Sequence, residues 1–154
     1  MPALNVGDKA PLFDLPTSGG KRISLVDLVG KHVILYFYPK DDTPGCTQEA
    51  KDFRDHIDAF DNAGAIILGV SKDPVKSHDK FSEKYCLPFP LLADVDGTLC
   101  DAYGVWVEKS MYGKKYMGIQ RATFLIDQRG NIQEIWPKVS VTGHVEAVLK
   151  AVQQ

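Results

Sequence analysis

One short stretch, residues 38–50 (YPKDDTPGCTQEA), concentrates side chains that could do chemistry around the thiol of Cys46. Thr43 precedes a proline, which favours extended backbone geometry, and a threonine in that geometry is a preferred helix N-cap. Pro44 then suits the first helical position, where its missing N–H costs nothing. Cys46 therefore falls in the first turn of a helix, where unpaired N–H groups and the positive end of the helix favour a thiolate.

Cys46 is also expected to face inward. It lies four residues before Ala50, in line with Phe53, Ile57 and Phe60 on one helical face. A shielded thiolate beside aligned donors suits nucleophilic attack on a small neutral electrophile. The alternative is a small apolar residue that begins a helix, because free cysteines are often simply buried packing residues.

Two buried strands and a helix must position this thiol. Residues 33–38 and 65–70 are continuously apolar and rich in β-branched side chains, which is typical of strands buried on both faces. The helix predicted over residues 44–62 lies between them. A strand, a crossover helix and a second strand predict a parallel pair with a right-handed connection.

The remaining segments predict further elements in a recognisable order: a hairpin region over 11–29, a helix over 74–85, a hairpin from 121–127 and 131–136, and a last helix from about residue 142. This order predicts a thioredoxin-like α/β fold, with a central mixed β-sheet flanked by helices and an N-terminal hairpin extension. Residues 95–119 fit it least well and are interpreted as an insertion with a short helix and a mobile hairpin.

Composition narrows the class of protein. The 154 residues favour one domain over 1–154, and 18 Lys+Arg against 20 Asp+Glu leave no basic footprint for nucleic acid. No apolar run approaches the roughly 18 residues of a membrane-spanning helix, and no secretion signal is visible at the start. Three cysteines are an odd number for a disulfide framework. We expect a cytoplasmic protein with reduced thiols that binds neither membranes nor nucleic acid.

The spacing Pro39-x-x-x-Thr43-x-x-Cys46 resembles the active-site motif of the peroxiredoxins. The longer string TPGCTxEA, with YFYPK before it, resembles the bacterioferritin comigratory protein or peroxiredoxin Q branch of that family. The resemblance covers nearly the whole chain and includes residues 89–94, 103–106 and 121–127.

The resemblance implies a thiol peroxidase that reduces hydrogen peroxide and organic hydroperoxides and contributes to antioxidant defence. Cys46 would be the peroxidatic nucleophile and become a sulfenic acid. Thioredoxin or a similar thiol reductant would regenerate it. Members of this branch are often monomers, and we expect a monomer here.

The resemblance also implies roles for neighbouring residues. The Thr43 hydroxyl would hydrogen-bond the thiolate and the incoming peroxide, and Pro39 would shield the thiolate from water. Pro44 and Gly45 would form the substrate-binding turn, in which backbone N–H groups hold a peroxide oxygen. Arg121 would polarise the peroxide and stabilise the thiolate, since a fixed cation favours the negative charge that develops on sulfur and oxygen.

Other polar residues receive structural interpretations. Asp41 and Asp42 would oppose thiolate formation if they pointed inward, so we expect them in water beside Lys40. The four histidines show no zinc-type spacing, and no nucleotide-binding glycine motif is present. We therefore predict no metal and no other cofactor.

The chain departs from its branch at the resolving cysteine. Many members have one five residues after the first, where this chain has Lys51. Other members resolve from the next helix, at a position closer to Ser82 than to Cys86. Cys86 is a candidate resolving thiol if that helix end unravels, whereas Cys100 is interpreted as a packing residue. Without a resolver, an external thiol would reduce the sulfenic acid directly.

Two other function classes fit the same sequence. In a redox sensor, oxidation of Cys46 would alter a partner contact and turnover would be slow. In a thioredoxin-fold binding module, Cys46 would be inert. Steady peroxide consumption with a thiol reductant separates both from a peroxidase.

Overall fold

The structure, a computed structural model, describes residues 4–154. Residues 1–3 lie outside the described residues, and the prediction about a secretion signal falls partly on them. The strands are β1 (Asp14–Thr17), β2 (Lys21–Ser24), β3 (His32–Phe37), β4 (Ala65–Ser71), β5 (Leu91–Ala93), β6 (Trp106–Met111), β7 (Lys114–Ile119), β8 (Ala122–Ile126) and β9 (Ile132–Trp136). The helices are α1 (Pro44–Asp55), α2 (Ile57–Asn62), α3 (Val75–Tyr85), α4 (Thr98–Ala102) and α5 (His144–Gln153), with a 3₁₀ turn at Leu25–Leu28.

Seven strands form one mixed sheet in the order β2-β1-β5-β4-β3-β8-β9, and β6 and β7 form a separate two-stranded hairpin. The β3–β4 pair is parallel, as the strand–helix–strand pattern predicts. β8 runs antiparallel to β3 on the other side. The N-terminal hairpin, β1 and β2, extends the far edge through β5. The predicted thioredoxin-like sheet is confirmed.

Side chains of the central strand alternate between two apolar layers, because successive residues of a strand point to opposite faces. Val33, Leu35 and Phe37 pack with the layer that contains α4 and the N-terminal segment. Ile34 and Tyr36 pack with the layer that contains α1, α3 and α5. The sheet is thus buried on both faces at its centre, and Cys46 belongs to the second layer.

The helix predicted over residues 44–62 is in fact two helices, which meet at His56. The His56 ring donates from Nδ1 to the Asp52 carbonyl over 2.8 Å. The backbone N–H of His56 bonds instead to Phe53, three residues back, over 3.2 Å. The side chain therefore occupies the carbonyl that a continuous helix would use for its backbone.

Residues 95–119 contain the predicted short helix and hairpin, as α4 and β6–β7. The sequence missed β5, which has only three residues between Pro90 and Asp94 and is too short for a periodicity to register. Within residues 4–154, no helix has the length and apolar character needed to cross a membrane.

Candidate active site

Cys46 lies at the carboxyl-terminal end of the central strand β3, where the chain turns into α1. Thr43 has the extended geometry of an N-cap residue (φ −92°, ψ 156°), and Pro44 begins the helix, both as predicted. The first hydrogen bond of the helix runs from the Thr47 N–H to the Thr43 carbonyl over 2.8 Å. The N–H groups of Gly45 and Cys46 precede it. The Cys46 side chain faces inward, as predicted, and the residue is only 1% exposed.

The antiparallel pairing of β8 with β3 brings Arg121 to the same end of β3. Phe37, the last residue of β3, is opposite Ala122, the first residue of β8. Arg121 therefore lies beside the point at which β3 leads into the Cys46 loop. Its carbonyl accepts a 2.9 Å bond from the Val139 N–H, which fixes the backbone there.

The Arg121 guanidinium joins the thiol to a carboxylate. Arg121 Nη2 donates to Cys46 Sγ over 3.3 Å, and Nη1 donates to Glu49 Oε1 over 2.8 Å. The Arg121 side chain is 16% exposed and that of Glu49 is fully buried. The guanidinium thus places a positive charge at hydrogen-bonding distance from the sulfur.

Glu49 is a site residue to which the sequence assigned no role. It lies three residues after Cys46, on the same face of α1. Burial raises the pKa of Glu49 to about 7, and the charge of Arg121 opposes that rise. Oε2 has no hydrogen-bond partner among the described residues, which adds to the cost of ionisation. A carboxylate within an otherwise apolar helical face was the signal that could have identified it.

Gly45 gives Arg121 room to approach the thiol. A Cβ placed on Gly45 would lie 3.0 Å from Arg121 Nη2, closer than ordinary van der Waals contact. The glycine of the Thr-Pro-Gly-Cys string therefore permits the guanidinium to lie against the first turn of α1.

The Thr43 hydroxyl points back along the loop. Oγ1 donates to the Lys40 carbonyl over 2.9 Å, and no side-chain bond caps the helix. Because a hydroxyl has one hydrogen and two lone pairs, Thr43 Oγ1 remains able to accept a hydrogen bond. Pro39 and Pro44 are exposed at the loop surface.

The expectation that Asp41 lies in water is wrong. Asp41 is only 8% exposed, and its carboxylate accepts bonds from Tyr38 (2.6 Å), Ser77 (2.8 Å) and His78 Nδ1 (2.7 Å). These partners compensate for desolvation of the carboxylate, which is why burial is tolerated. Asp42 is exposed as expected, but its ion-pair partner is Lys84, over 2.8 Å, and not Lys40.

Asp41, Asp73 and His78 place one potential metal ligand each within 4.8 Å of one another. Hydrogen bonds already engage these atoms. Asp73 Oδ2 accepts from the Asp41 N–H and the Ser71 hydroxyl, and His78 bonds Asp41 through Nδ1 and the Leu92 carbonyl through Nε2. The cluster is a hydrogen-bond network that joins the Cys46 loop to α3.

The three cysteines are free thiols in different surroundings. Cys100 is fully buried, and burial raises its pKa far above the ordinary value, as suits a packing residue. Cys86 is exposed and follows α3 with left-handed geometry (φ 53°). Arg54 Nη1 donates to the Tyr85 carbonyl over 2.8 Å, so this helix end is held in place.

The β6–β7 hairpin lies near the same site. The pKa of Lys109, on β6, is lowered by burial and by the charge of Arg121, and Cys46 opposes that change. Lys109 was not singled out in the sequence. It brings a second positive charge to the neighbourhood of the thiol.

Comparison with known proteins agrees with this geometry. Residues 6–135 match the model of the AhpC/TSA family. A putative peroxiredoxin Bcp of Coxiella burnetii is 58% identical over 147 residues, which are 96% of this chain and 97% of that protein. The peroxiredoxin Bcp of Bacillus subtilis is 47% identical and covers 97% of this chain and 96% of its own. A solved structure of the Xanthomonas campestris bacterioferritin comigratory protein is 50% identical, with a TM-score of 0.88 over 92% of this chain and 90% of that one.

Proposed function

The chain belongs to the AhpC/TSA family and is a peroxiredoxin of the Bcp type, and we propose that its peroxidase reaction runs through Cys46, with Arg121, Thr43 and the turn at Pro44 and Gly45 around it. The protein is an antioxidant oxidoreductase that consumes a peroxide and a thiol reductant. The observation that supports the proposed site most directly is the 3.3 Å contact between Arg121 Nη2 and Cys46 Sγ at a buried helix start.

The chemical step is a displacement at a peroxide oxygen. The Cys46 thiolate attacks the terminal oxygen of R–O–OH, so that an S–O bond forms and the O–O bond breaks. Sulfur is oxidised to the sulfenic acid, and the electron pair of the O–O bond leaves on RO⁻. A proton then gives ROH, which is water when the substrate is hydrogen peroxide.

Arg121 and the first turn of α1 stabilise the charge in this step. Negative charge passes from sulfur to the leaving oxygen, and donors fixed in advance along that path lower the barrier. Arg121 Nη2 already contacts the sulfur, and the N–H groups of Gly45 and Cys46 precede the first intrahelical bond. Glu49 orients the guanidinium through Nη1.

Thr43 would hold the peroxide as an acceptor. Its hydroxyl hydrogen is already given to the Lys40 carbonyl, so its remaining lone pairs can accept the O–H of the substrate. This orients the peroxide with its terminal oxygen toward the thiolate. Pro39, exposed at the loop surface, would cover the loop against water.

Regeneration requires the loop to open. Cys46 is 1% exposed, so a protein thiol cannot contact its sulfur while the first turn of α1 is closed. After opening, a thiol RSH condenses with the sulfenic acid to release water and form a disulfide with Cys46. A second thiol then displaces Cys46 as the thiolate. We propose thioredoxin or a similar dithiol as the reductant; Cys86 would act as an internal resolver only if the end of α3 unwound.

Organic hydroperoxides are proposed substrates alongside hydrogen peroxide. The Xanthomonas campestris relative is described with alkyl peroxide reduction activity. The β6–β7 hairpin, which carries Lys109, also has exposed apolar side chains that an organic group could contact: Met111, Tyr112, Tyr116 and Met117.

We further propose a cytoplasmic monomer. One chain supplies Arg121 together with both of its partners, Cys46 and Glu49, so the site needs no second copy. The three free thiols suit a reducing compartment.

Peroxide consumption coupled to thioredoxin, thioredoxin reductase and NADPH tests the proposal. Cys46→Ser is expected to abolish turnover. Arg121→Lys is expected to slow Cys46 oxidation about tenfold to a hundredfold, because an ammonium cannot replace both charge-assisted bonds. Arg22→Lys, at an exposed ion pair with Asp14, is the matched control and should be unchanged. Full activity of Cys46→Ser would reject the proposed site.

A further inference from the structure

A group of hydrogen-bonded polar residues surrounds the loop that precedes Cys46 and has no part in the chemical step. We define the Asp41 network as Tyr38, Asp41, Ser77 and His78. Tyr38 follows β3, Asp41 belongs to the loop that leads to Cys46, and Ser77 and His78 lie on α3. The network therefore joins three separate elements through one carboxylate.

Each hydrogen-bonding atom in this network has a defined partner. His78 Nε2 must donate to Leu92, because a carbonyl oxygen can only accept, over 2.9 Å. His78 Nδ1 lies 2.7 Å from Asp41 Oδ2, so the ring connects Asp41 to the Leu92 carbonyl. His78 is fully buried, so loss of a partner there would leave a polar group without a hydrogen bond and without water to replace it. The bonds thus fix both side chains together.

The backbone of Asp41 and the side chain of Asp42 are also hydrogen-bonded, to residues of α3 or just before it. The Asp41 N–H donates to Asp73 Oδ2 over 2.8 Å. Asp42, which has positive φ (59°), accepts bonds from Lys84 Nζ (2.8 Å) and the Tyr85 hydroxyl (2.7 Å). Both ends of α3 therefore contact the two residues that immediately precede Thr43.

We propose that Asp41 and His78 are positioning residues for the peroxidase reaction, and that their hydrogen-bonded pair holds the loop before Cys46 in the conformation that attacks peroxide. The inference rests on the proposed role of Cys46. Neither side chain touches the reacting atoms. They act through the loop, which sets where Thr43 and the first turn of α1 lie relative to Arg121.

Two substitutions of Asp41 distinguish the effect of losing its hydrogen bonds from the effect of losing its charge. Asp41→Ala removes every side-chain bond of the network's central residue. Asp41→Asn can keep them, since its oxygen accepts from Tyr38 and its amide donates to Ser77 Oγ and to a neutral His78 Nδ1. Ser77→Ala removes a single bond and is the mildest change, which provides a folded variant if Asp41→Ala does not fold.

The experiment measures two rates on each variant, well below its thermal midpoint. The first is single-turnover oxidation of Cys46 by hydrogen peroxide, and the second is alkylation of Cys46 by iodoacetamide, mapped by peptide mass. For Asp41→Ala we expect oxidation about tenfold slower and alkylation faster. Ser77→Ala should change both rates about twofold to threefold in the same directions, and Asp41→Asn should stay near wild type.

Asp94→Asn is the matched control. Asp94 is also a buried aspartate, only 1% exposed, but it accepts the N–H groups of Leu99 and Cys100 at the start of α4. It should lose stability and leave both rates unchanged. Wild-type rates in Asp41→Ala and Ser77→Ala, or equal changes in Asp94→Asn, would overturn the inference. If wild-type Cys46 is not oxidised at all, the proposed function fails, while the alkylation rates still report on the network.

Discussion

The Arg121 guanidinium contacts both the Cys46 thiol and the Glu49 carboxyl group at the start of α1. Arg121 donates to Cys46 and to Glu49, so its charge is shared between a sulfur and a carboxylate. The raised pKa of Glu49 matters here, because a neutral Glu49 leaves more of the positive charge to the thiolate. The acidity of this one carboxylic acid therefore bears on the reactivity of the thiol.

Gly45→Ala tests how closely the guanidinium must approach. The added Cβ would lie 3.0 Å from Arg121 Nη2, and the guanidinium, as the end of a flexible side chain, is the group that yields. We expect slower oxidation of Cys46, by about fivefold to thirtyfold, because a displaced charge-assisted bond weakens by roughly 1–2 kcal/mol. Stopped-flow oxidation gives the rate, and circular dichroism gives the melting temperature, which should change little. A wild-type rate would mean that the contact is not needed.

At this scale the sequence correctly predicted the N-cap geometry of Thr43 and the inward-facing Cys46 in the first turn, because a helix start is a local pattern. The role of Arg121 came from the family resemblance and stays a prediction. The sequence missed the role of Glu49, since the pairing with Arg121 joins residues that are distant in the chain. It misplaced Asp41 for the same reason. From the sequence alone a carboxylate is expected in water, and only the fold shows that Ser77 and His78 are its hydrogen-bond partners.

Helix α3 is the element that determines whether Cys86 can resolve the sulfenic acid. A disulfide needs Cα atoms within roughly 4.4–6.8 Å, whereas Cys46 is buried and Cys86 is exposed beyond α3. The end of α3 is held by Arg54 and Asp42. Bringing the two sulfurs together would break these contacts in addition to opening α1.

We therefore expect Cys86→Ser to retain most of its turnover with thioredoxin, within about threefold of wild type, because an internal disulfide would require the end of α3 to be freed in addition to the opening of α1. The coupled NADPH assay measures it, and Cys100→Ser at the packing position is the control. A loss of turnover beyond tenfold in Cys86→Ser alone would establish an internal two-cysteine cycle and contradict this expectation.

Most elements followed from period and length, including both central strands, whereas the β6–β7 hairpin lies in the segment that fitted the pattern least well. The exceptions have local physical causes. His56 divides the predicted long helix because its ring takes the Asp52 carbonyl, which a pattern of apolar residues does not encode. β5 has three residues and depends on its neighbours β1 and β4 for pairing.

Two buried groups, Glu49 and His144, make the stability of the molecule depend on pH in opposite directions. The pKa of Glu49 is raised to about 7, so its contribution to stability is complete below its ordinary pKa and is lost as pH rises through 7. The pKa of His144 is lowered to about 4 by burial and by the charge of Arg121. Its contribution is complete above the ordinary histidine pKa and is lost as pH falls toward 4. Between pH 4.5 and 6.5 the two contributions oppose each other.

Subtraction of the Glu49→Gln curve isolates Glu49 between pH 6.5 and 7.5, where unfolded His144 also titrates. The Glu49 contribution to the wild-type free energy of unfolding should fall there by somewhat less than about 1 kcal/mol, because folded Glu49 holds on average about half a proton more than unfolded Glu49. Glu49→Gln cannot titrate, so its curve should lack that decrease. Urea unfolding at several pH values measures both curves. Parallel curves for the two proteins would show that Glu49 does not titrate in this range.

The central claim, that Cys46 is the residue that reacts with peroxide, is tested most directly by intact-mass spectrometry. The protein receives one equivalent of hydrogen peroxide, with and without a sulfenic-acid trap, and peptides locate the change. The account predicts a trapped oxygen adduct on Cys46, with Cys100 unmodified. No change within minutes, or oxidation confined to Cys86 or Cys100, would contradict it.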